Sequence, residues 1–245
     1  MGDKLLIPGK FLARALVKEG IACFVIYSIF HSRRMSETIR KRLPLLTPEE
    51  WFENYRISVI DVRQVVDWAS QRSELNEKKV GLVGISLGGF VSAITMGVDK
   101  RIRAGVFIIS GGNSGKINRK SRKSVLKYRD PEAEYNQNQS QYTKYLAEVA
   151  EKGFAAVTPA SQSFVVDPMT FTSYLKERPV LMLNAFWDEY ISKESTLDFW
   201  EACSRPPITW FPATHATIWL WYPLIRRNIT RFLRSTFEMQ DGHGR

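Results

Sequence analysis

Short, uninterrupted apolar runs recur along the chain and predict the strands of a sheet. They are rich in β-branched residues, which is typical of parallel strands buried on both faces. The runs cover residues 21–27, 80–85, 104–109, 180–184 and, more weakly, 208–211. Segments compatible with helices separate these runs, so the order of elements predicts an α/β fold with a mostly parallel central sheet flanked by helices. Functional groups are then expected at the carboxyl ends of the strands.

One helix has a clear start signal in the sequence. Thr47 is placed as the N-cap, Pro48 occupies the first helical position, and Glu50 completes a capping box with Thr47. The apolar periodicity that follows predicts a helix over residues 48–70.

The connection between the runs ending at 109 and starting at 180 is much longer than one crossover helix requires. We therefore expect a single domain over residues 1–245 that carries an insertion at 113–168. Asp130 could cap a helix in this insertion, and the apolar spacing that follows predicts a helical cap over the strand ends.

Composition narrows the class of protein. The chain has 245 residues, of which 44% are hydrophobic and 24% charged, as in an ordinary globular protein. No apolar run is long enough to predict a membrane span, and charges interrupt the N-terminal region, so no secretory signal is expected and the cytoplasm is the default compartment. Cys23 and Cys203 lack metal or redox spacing and are interpreted as reduced packing residues.

The formal net charge is +10, which raises nucleic acid or an anionic surface as a partner. The excess concentrates in residues 115–129, which contain no acidic residue, and in residues 33–42. Neither segment carries a nucleic-acid-binding module or several interleaved aromatic residues. We interpret the basic segments as solvated faces and expect no nucleic-acid partner.

The run 80–85 leads into the motif Gly84-Ile85-Ser86-Leu87-Gly88. This G-x-S-x-G pattern, placed between a strand and a helix, is typical of a sharp turn that presents a serine hydroxyl above a sheet. The two glycines are expected to leave room for the crossing chain. The backbone N–H of Leu87, at the helix start, could then stabilise an oxyanion.

A serine hydroxyl needs a base to take its proton, and the chain has three histidines. His243 lies in a polar tail, and His31 precedes the serine but could line a site. His215 follows the last predicted strand, as expected when the order is serine, acid, histidine, and is our candidate base.

The acid is expected in the loop after the run 180–184. Asp188 is the favoured candidate and its neighbour Glu189 is the main alternative. Asp167 can be explained as the N-cap of a helix, and Asp198 as a residue on the solvent-exposed face of a helix. Nearby aromatic residues, which either line an acyl pocket or pack in the core, are Trp187, Trp219, Trp221 and Tyr222.

Over essentially its whole length the sequence resembles the α/β-hydrolase family, in its esterase and dienelactone-hydrolase-like branches. The resemblance rests on the elbow at residues 84–89, the acid loop at 184–190 and Thr214-His215. It implies a serine nucleophile, a Ser86-His215-Asp188 triad and a reaction that needs no metal or cofactor.

The chain departs from this family before its first helix. Family members carry a strand and a loop there that supply a second oxyanion N–H, whereas only nine residues precede the helix here. Either residues 4–7 form a substitute strand with Pro8-Gly9 as the oxyanion loop, or the chain is shortened and impaired.

We therefore expect a serine hydrolase that acts on a small-molecule carboxylic ester through an acyl-enzyme. Ser86, Asp188 and His215 would be catalytic, and Leu87, Gly9, His31 and Trp187 would form the oxyanion and substrate sites. The alternatives are a peptidase or amidase, a non-catalytic binding protein on the same fold, and a binder of nucleic acid or anionic surfaces.

Overall fold

The computed structural model describes residues 7–29, 31, 34–123 and 130–242. At its centre is a sheet of four parallel strands: β1 (Val80–Ile85), β2 (Ile102–Ile108), β3 (Val180–Ala185) and β4 (Ile208–Phe211). The strands lie in the order β1-β2-β3-β4. This confirms the predicted α/β class and four of the five predicted strands. Strand β2 ends before Ile109 because that residue has a φ of 46°, outside the strand region.

Helices cover both faces of this sheet. They are α1 (Ile7–Val17), α2 (Glu37–Arg42), α3 (Pro48–Ser70), α4 (Leu87–Val98), α5 (Ser114–Lys120), α6 (Glu132–Lys152), α7 (Gln162–Val165), α8 (Thr172–Leu175), α9 (Lys193–Ala202) and α10 (Tyr222–Gly242). Short 3₁₀ turns lie at Leu43–Leu45, Phe154–Ala156, Pro168–Phe171 and Thr217–Trp221.

Two apolar clusters hold the layers together. One cluster joins α3 and α4 to the sheet, with Val62, Val66 and Phe107 among its buried members. The other joins α1 and α10 to the opposite face and includes Leu12 and Ile225. The sheet is therefore buried on both sides, which explains why its strands read as continuous apolar runs.

Helix α3 begins where its capping signal predicts and ends at Ser70, as expected. The Thr47 side chain accepts a hydrogen bond from the Glu50 N–H, and the Glu50 carboxylate accepts one from the Thr47 N–H. Both bonds satisfy donors that a helix start leaves free, so the signal is local and the sequence suffices to find it.

The strand predicted over residues 21–27 is wrong. Residues 21–28 have no strand assignment and are held by side chains instead, with Ile21 packed toward α1 and α10 and Ile26 toward α3. A strand needs a neighbour for its backbone hydrogen bonds. Among the described residues β1 pairs with β2 alone, and an open cavity separates its other edge from this segment.

Helices α5 to α8 lie between β2 and β3, in the long connection where an insertion is expected. The suggested cap at Asp130 is wrong: the N-cap of α6 is Pro131, whose side chain makes no capping hydrogen bond. Proline has no side-chain acceptor to offer the N–H groups of the first turn, and Asp130 lies one position too early to be the N-cap. Asp167 does cap the turn that follows it, by accepting from the Met169 N–H.

Cys23 and Cys203 are both free thiols. Burial raises the pKa of Cys203 to about 12, as expected for a packing residue. In the part of the chain that the structure describes, no helix is long and apolar enough to cross a membrane.

Candidate active site

Ser86 lies at the sharp turn between β1 and α4. Its φ of 54° and ψ of −119° are unusual for a residue with a side chain. The Ser86 N–H donates to the Ile108 carbonyl at the end of β2, and the Ser86 carbonyl accepts from the Gly89 N–H. These bonds hold a strained backbone that lifts the hydroxyl away from the strand axis.

Crowding at this turn falls on Gly84 and Gly89. A Cβ on Gly84 would lie 2.3 Å from the Gly88 carbonyl oxygen, and a Cβ on Gly89 would lie 2.5 Å from the Ser110 Oγ. Gly88 has open space around the same position. Both motif glycines were expected to make room for a crossing segment. This is correct for Gly84 and wrong for Gly88, because on the helix side the close approach is to Gly89, one residue after Gly88.

His215 joins the serine to a carboxylate. Its Nε2 lies 3.0 Å from the Ser86 Oγ and its Nδ1 lies 2.8 Å from the Asp188 Oδ2. A neutral imidazole with its proton on Nδ1 donates to Asp188 and offers the Nε2 lone pair to the serine proton. The structure thus brings Ser86, His215 and Asp188 into one hydrogen-bonded chain.

The Asp188 carboxylate is fixed at both oxygens. Oδ1 accepts the backbone N–H groups of Tyr190 and Ile191, each at 2.8 Å, which leaves Oδ2 for His215. The side chain is 6% exposed, against 17% for His215. A buried, fully bonded carboxylate has little freedom to rotate, so it holds the imidazole in one orientation.

Glu189, the alternative acid, touches the histidine elsewhere. Its Oε2 accepts the backbone N–H of His215 at 3.0 Å, and its other oxygen lies 3.5 Å from the Lys123 Nζ. Burial raises the pKa of Glu189, but the His215 N–H and Lys123 outweigh burial and leave the pKa below its ordinary value. The two neighbouring carboxylates therefore act on different parts of one residue.

Lys123 and Tyr190 are contacts that the sequence did not indicate. The Lys123 N–H donates to the Glu189 carbonyl at 2.8 Å, and the Tyr190 ring centre lies 5.0 Å from that of His215. The Arg122 guanidinium also donates to the Trp187 carbonyl. These contacts dock the segment after α5 along the acid loop, and nothing in the local sequence of either segment predicts them.

One expected oxyanion donor is placed at a helix start. Leu87 is the first residue of α4, where backbone N–H groups have no intrahelical acceptor. Gly9, by contrast, does not lie in a loop: α1 begins at Ile7, so Gly9 is already helical. Gly9 lines the same open cavity as Ser86. Residues 4–6 of the suggested substitute strand lie outside the described residues.

The other predicted site residues divide into two groups. His31 and Trp219 line the cavity that also contains Ser86 and His215. Burial lowers the pKa of His31.

Trp187 is 57% exposed and is not among the residues of the cavity wall. Trp221 and Tyr222 pack against the apolar cluster between α10 and the sheet, as expected if they are core residues. His243 lies outside the described residues.

The basic segment after β2 is partly neutralised by ion pairs. Lys116 pairs with Asp198 of α9, and Lys123 pairs with Glu189. Residues 124–129 of this segment lie outside the described residues. Over the described ranges, no group of three or more side chains is arranged to hold a metal ion.

The comparisons with known proteins agree with this fold. A family model described as alpha/beta hydrolase domain containing 18 matches residues 2–235. The Pyrococcus furiosus esterase Pf2001 superposes with a TM-score of 0.54 at 16% identity, over 95% of this chain and 77% of that one. An acetyl xylan esterase from Paenibacillus sp. R4 gives 0.53 at 15% identity, over 74% and 53% of the two chains. At such low identity these likenesses establish the fold.

Two curated Mycobacterium tuberculosis proteins, both described as uncharacterized, are 20% identical over 182 residues. The match covers 74% of this chain but 37% of each relative. The chain therefore corresponds to little more than a third of the length of these relatives.

Proposed function

We propose that this chain, which belongs to the family described as alpha/beta hydrolase domain containing 18, is a serine hydrolase that cleaves carboxylic esters. The observation that carries the proposal is the pair of hydrogen bonds from His215, 3.0 Å to the Ser86 Oγ and 2.8 Å to the Asp188 Oδ2. Nucleophile, base and orienting acid at hydrogen-bond distance are what acyl transfer by a serine requires.

The first half of the proposed reaction forms an acyl-enzyme. Ser86 Oγ attacks the ester carbonyl carbon while its proton passes to the His215 Nε2. Asp188 stabilises the imidazolium through the Nδ1 proton. When the tetrahedral intermediate collapses, the carbon–oxygen bond to the alcohol breaks, and the imidazolium gives its proton to the departing alkoxide.

The second half uses water in the place of the alcohol. His215 removes a proton from water, the hydroxide attacks the acyl carbon, and collapse returns the proton to the Ser86 Oγ with release of the carboxylic acid. The Leu87 N–H stabilises the negative oxygen in both halves. Gly9 is our proposed source of the second donor, because it lies near the start of the described part of α1 and lines the same cavity.

The open cavity beside Ser86 has a volume of about 1780 Å³. We assign residues 113–168 to a helical cap on this cavity, since Ile117, Gln139 and Phe164 all lie in its wall. The apolar side chains of Leu46 and Trp51 also line this cavity. The cavity is larger than the roughly 300–1,000 Å³ of a typical pocket for a small organic ligand, since it also runs along the edge of β1. We therefore place the substrate in the part beside Ser86 and His215.

The proposal is tested with p-nitrophenyl esters of increasing acyl length and the matching anilides. We expect the wild type to hydrolyse esters and Ser86→Ala to lose about 10⁶-fold in kcat. Asp188→Asn should lose about 10³- to 10⁴-fold in kcat, because the imidazole is no longer held in the right tautomer. The control is Ser73→Ala, an exposed serine in the connection between α3 and β1.

Retention of ester hydrolysis in Ser86→Ala would contradict the proposal. Cleavage of anilides at a rate similar to that of esters would replace the ester assignment with an amidase. A folded wild type that hydrolyses no compound of the panel and forms no acyl-enzyme would favour a binding protein on the hydrolase fold.

A further inference from the structure

We propose that the chain binds an extended apolar peptide segment as an added strand, in a slot along the outer edge of β1. The slot is the part of the open cavity that continues from Ser86 along β1, and residues 21–26 bound its far side. Among the described residues, β1 pairs with β2 alone. The edge of β1 that faces the slot therefore keeps backbone donors and acceptors that another strand could use.

The backbone groups on this edge can be assigned to particular residues. The Ser86 N–H donates to the Ile108 carbonyl of β2. Successive residues of a strand direct their backbone groups to opposite edges, so every second residue before Ser86 also faces β2. The other residues of β1, which are Gly81, Val83 and Ile85, direct their N–H and C=O groups to the slot. Another polypeptide backbone offers acceptors and donors at the same spacing.

Residues 21–26 resemble a strand in everything except pairing. Ile21 and Cys23 pack toward α1 and α10, whereas the Phe24 ring meets Trp68 of α3 edge to face. The side chains thus alternate between the two layers of helices, and those of β1 alternate between the same two layers. Both segments lie between these layers, and no backbone hydrogen bond joins them within the described residues.

The walls of the slot are apolar on both faces. Val62 and Val66 of α3 line it on one side, and Leu233 and Phe237 of α10 line it on the other. Strands β2 and β3 are almost entirely buried, whereas β1 is only partly buried. A strand in the slot would bury the remaining apolar surface of β1. Its own side chains should be apolar on both faces, as in other strands between two helical layers.

A peptide matches the slot better than an acyl chain or a folded second copy. A hydrocarbon chain would contact the apolar walls but would leave the backbone groups of β1 without partners in a site that water could no longer reach. A second copy could enter between the helical layers only by releasing a strand from its own sheet. Addition of a strand to an open sheet edge is a common mode of peptide recognition. Peptide binding does not depend on ester hydrolysis, so the two proposals can fail separately.

The test is fluorescence anisotropy with the full chain and a labelled synthetic peptide of residues 100–110. This peptide contains the sequence of β2, which already pairs with β1 at the other edge, and three cationic residues that keep it soluble. We expect saturable binding of one peptide per chain. The same peptide with N-methyl groups on Gly105 and Val106 cannot donate to either side at its centre, and it should bind about tenfold more weakly or worse.

A matched pair of variants on α3 tests the position of the peptide. Ala69 is half-buried and lines the cavity, whereas the next residue, Ser70, is exposed and does not. Ala69→Glu should weaken peptide binding by about tenfold or more, because its carboxylate would lose water against an apolar strand. Ser70→Glu makes the same charge change on the same turn and should bind like the wild type. Unchanged thermal melting shows that each variant is folded.

Cys23 supplies a second readout that needs no label. Its thiol is free and the residue lines the cavity, whereas Cys203 is 4% exposed. Intact mass during treatment with iodoacetamide follows the alkylation of Cys23. Peptide at ten times its Kd should slow this alkylation about tenfold, because about one slot in ten stays empty.

Three results would overturn the proposal. Equal binding by the N-methylated peptide would mean that the slot takes an apolar ligand without backbone pairing. Full binding to Ala69→Glu would place the peptide elsewhere. Alkylation of Cys23 that is as slow as that of Cys203 before any peptide is added would mean that another part of the chain or a second copy already fills the slot.

Discussion

His215 is held at two points by two consecutive carboxylates. Asp188 binds its ring through Nδ1, whereas Glu189 accepts its backbone N–H and is itself paired with Lys123. Adding a second negative charge near an imidazole favours the protonated imidazolium, which cannot accept a proton from a serine. Lys123 offsets this charge, so the pair fixes the histidine loop while limiting its effect on the base.

Two neutral substitutions separate these effects in the pH profile of kcat/KM. Lys123→Gln leaves Glu189 uncompensated, so the acid limb should move to higher pH. Glu189→Gln keeps an acceptor for the His215 N–H but removes the charge, so the limb should move to lower pH. Both shifts should be small, because Lys123 is 64% exposed and screened by solvent.

The control is Lys120→Gln, an exposed lysine at the end of α5, which should leave the profile in place. Among the described residues, Ser86, Asp188, Glu189 and Tyr190 contact His215, and Lys123 acts on it through Glu189. Movement of both variants in the same direction would show that the loop geometry had changed, and the assigned role of the charge pair would be wrong.

At the scale of elements, the turn between β1 and α4 depends on how closely the strand and helix approach. Gly84→Ala should destabilise the fold by about 1–3 kcal/mol, because the new Cβ would lie 2.3 Å from a backbone oxygen that cannot move aside. Gly88→Ala has free space and lies in a helix, so it should be neutral or add about 0.5–1 kcal/mol. Urea denaturation of both variants measures these differences.

The two glycines serve as each other's control, since both belong to the G-x-S-x-G motif and receive the same methyl group. Equal losses of stability would contradict the crowding seen at Gly84. A larger loss at Gly88 than at Gly84 would mean that the chain crosses where the motif alone suggests.

Local signals explain which elements the sequence could predict. The start of α3 follows from Thr47 and Glu50, which lie within one turn of each other. The position of Ser86 follows from the motif and its flanking strand. The run 21–27 has the composition of a strand, but whether it pairs depends on what lies beside it. An apolar composition indicates that a segment is buried. Whether that segment forms a strand also depends on a neighbouring strand with which its backbone can pair.

The same distinction applies to the candidate site. Position after strands was enough to propose Asp188 and His215, because parallel strands end at one edge of the sheet. Their contact distances, and the link from Lys123 to Glu189, join segments that are remote in sequence. Trp187 follows the same strand as Asp188, yet its side chain points to solvent, since position in a loop does not fix side-chain direction.

For the whole molecule, Asp99 links the end of α4, the helix that follows Ser86, to α3 and to the turn before β2. It follows α4, is 5% exposed, and pairs with Arg101 and with Arg63 of α3. Hydrogen bonds from Arg101, aided by Arg63, outweigh burial and lower the pKa of Asp99 from 3.8 to about 2. Because the folded-state pKa is the lower one, the stabilisation is present above pH 4 and is lost as the pH falls toward 2.

Asp99→Asn should therefore lower the free energy of unfolding by about 1–2 kcal/mol at neutral pH, a figure reduced because Arg101 is partly exposed. The difference from the wild type should shrink below pH 4 and vanish near pH 2. Glu53→Gln, which breaks an exposed pair with Arg56, is the control and should change little at any pH. A difference that stays constant from pH 7 to pH 2 would show that packing, and not charge, is responsible.

If the folded molecule activates Ser86, a fluorophosphonate will label that serine, and the mass of the intact protein shows the label without knowledge of the substrate. We expect one covalent adduct on the wild type and none on Ser86→Ala or His215→Ala, with Ser73→Ala labelled like the wild type. A folded wild type that forms no adduct, or an adduct that persists in Ser86→Ala, would contradict the proposed serine hydrolase.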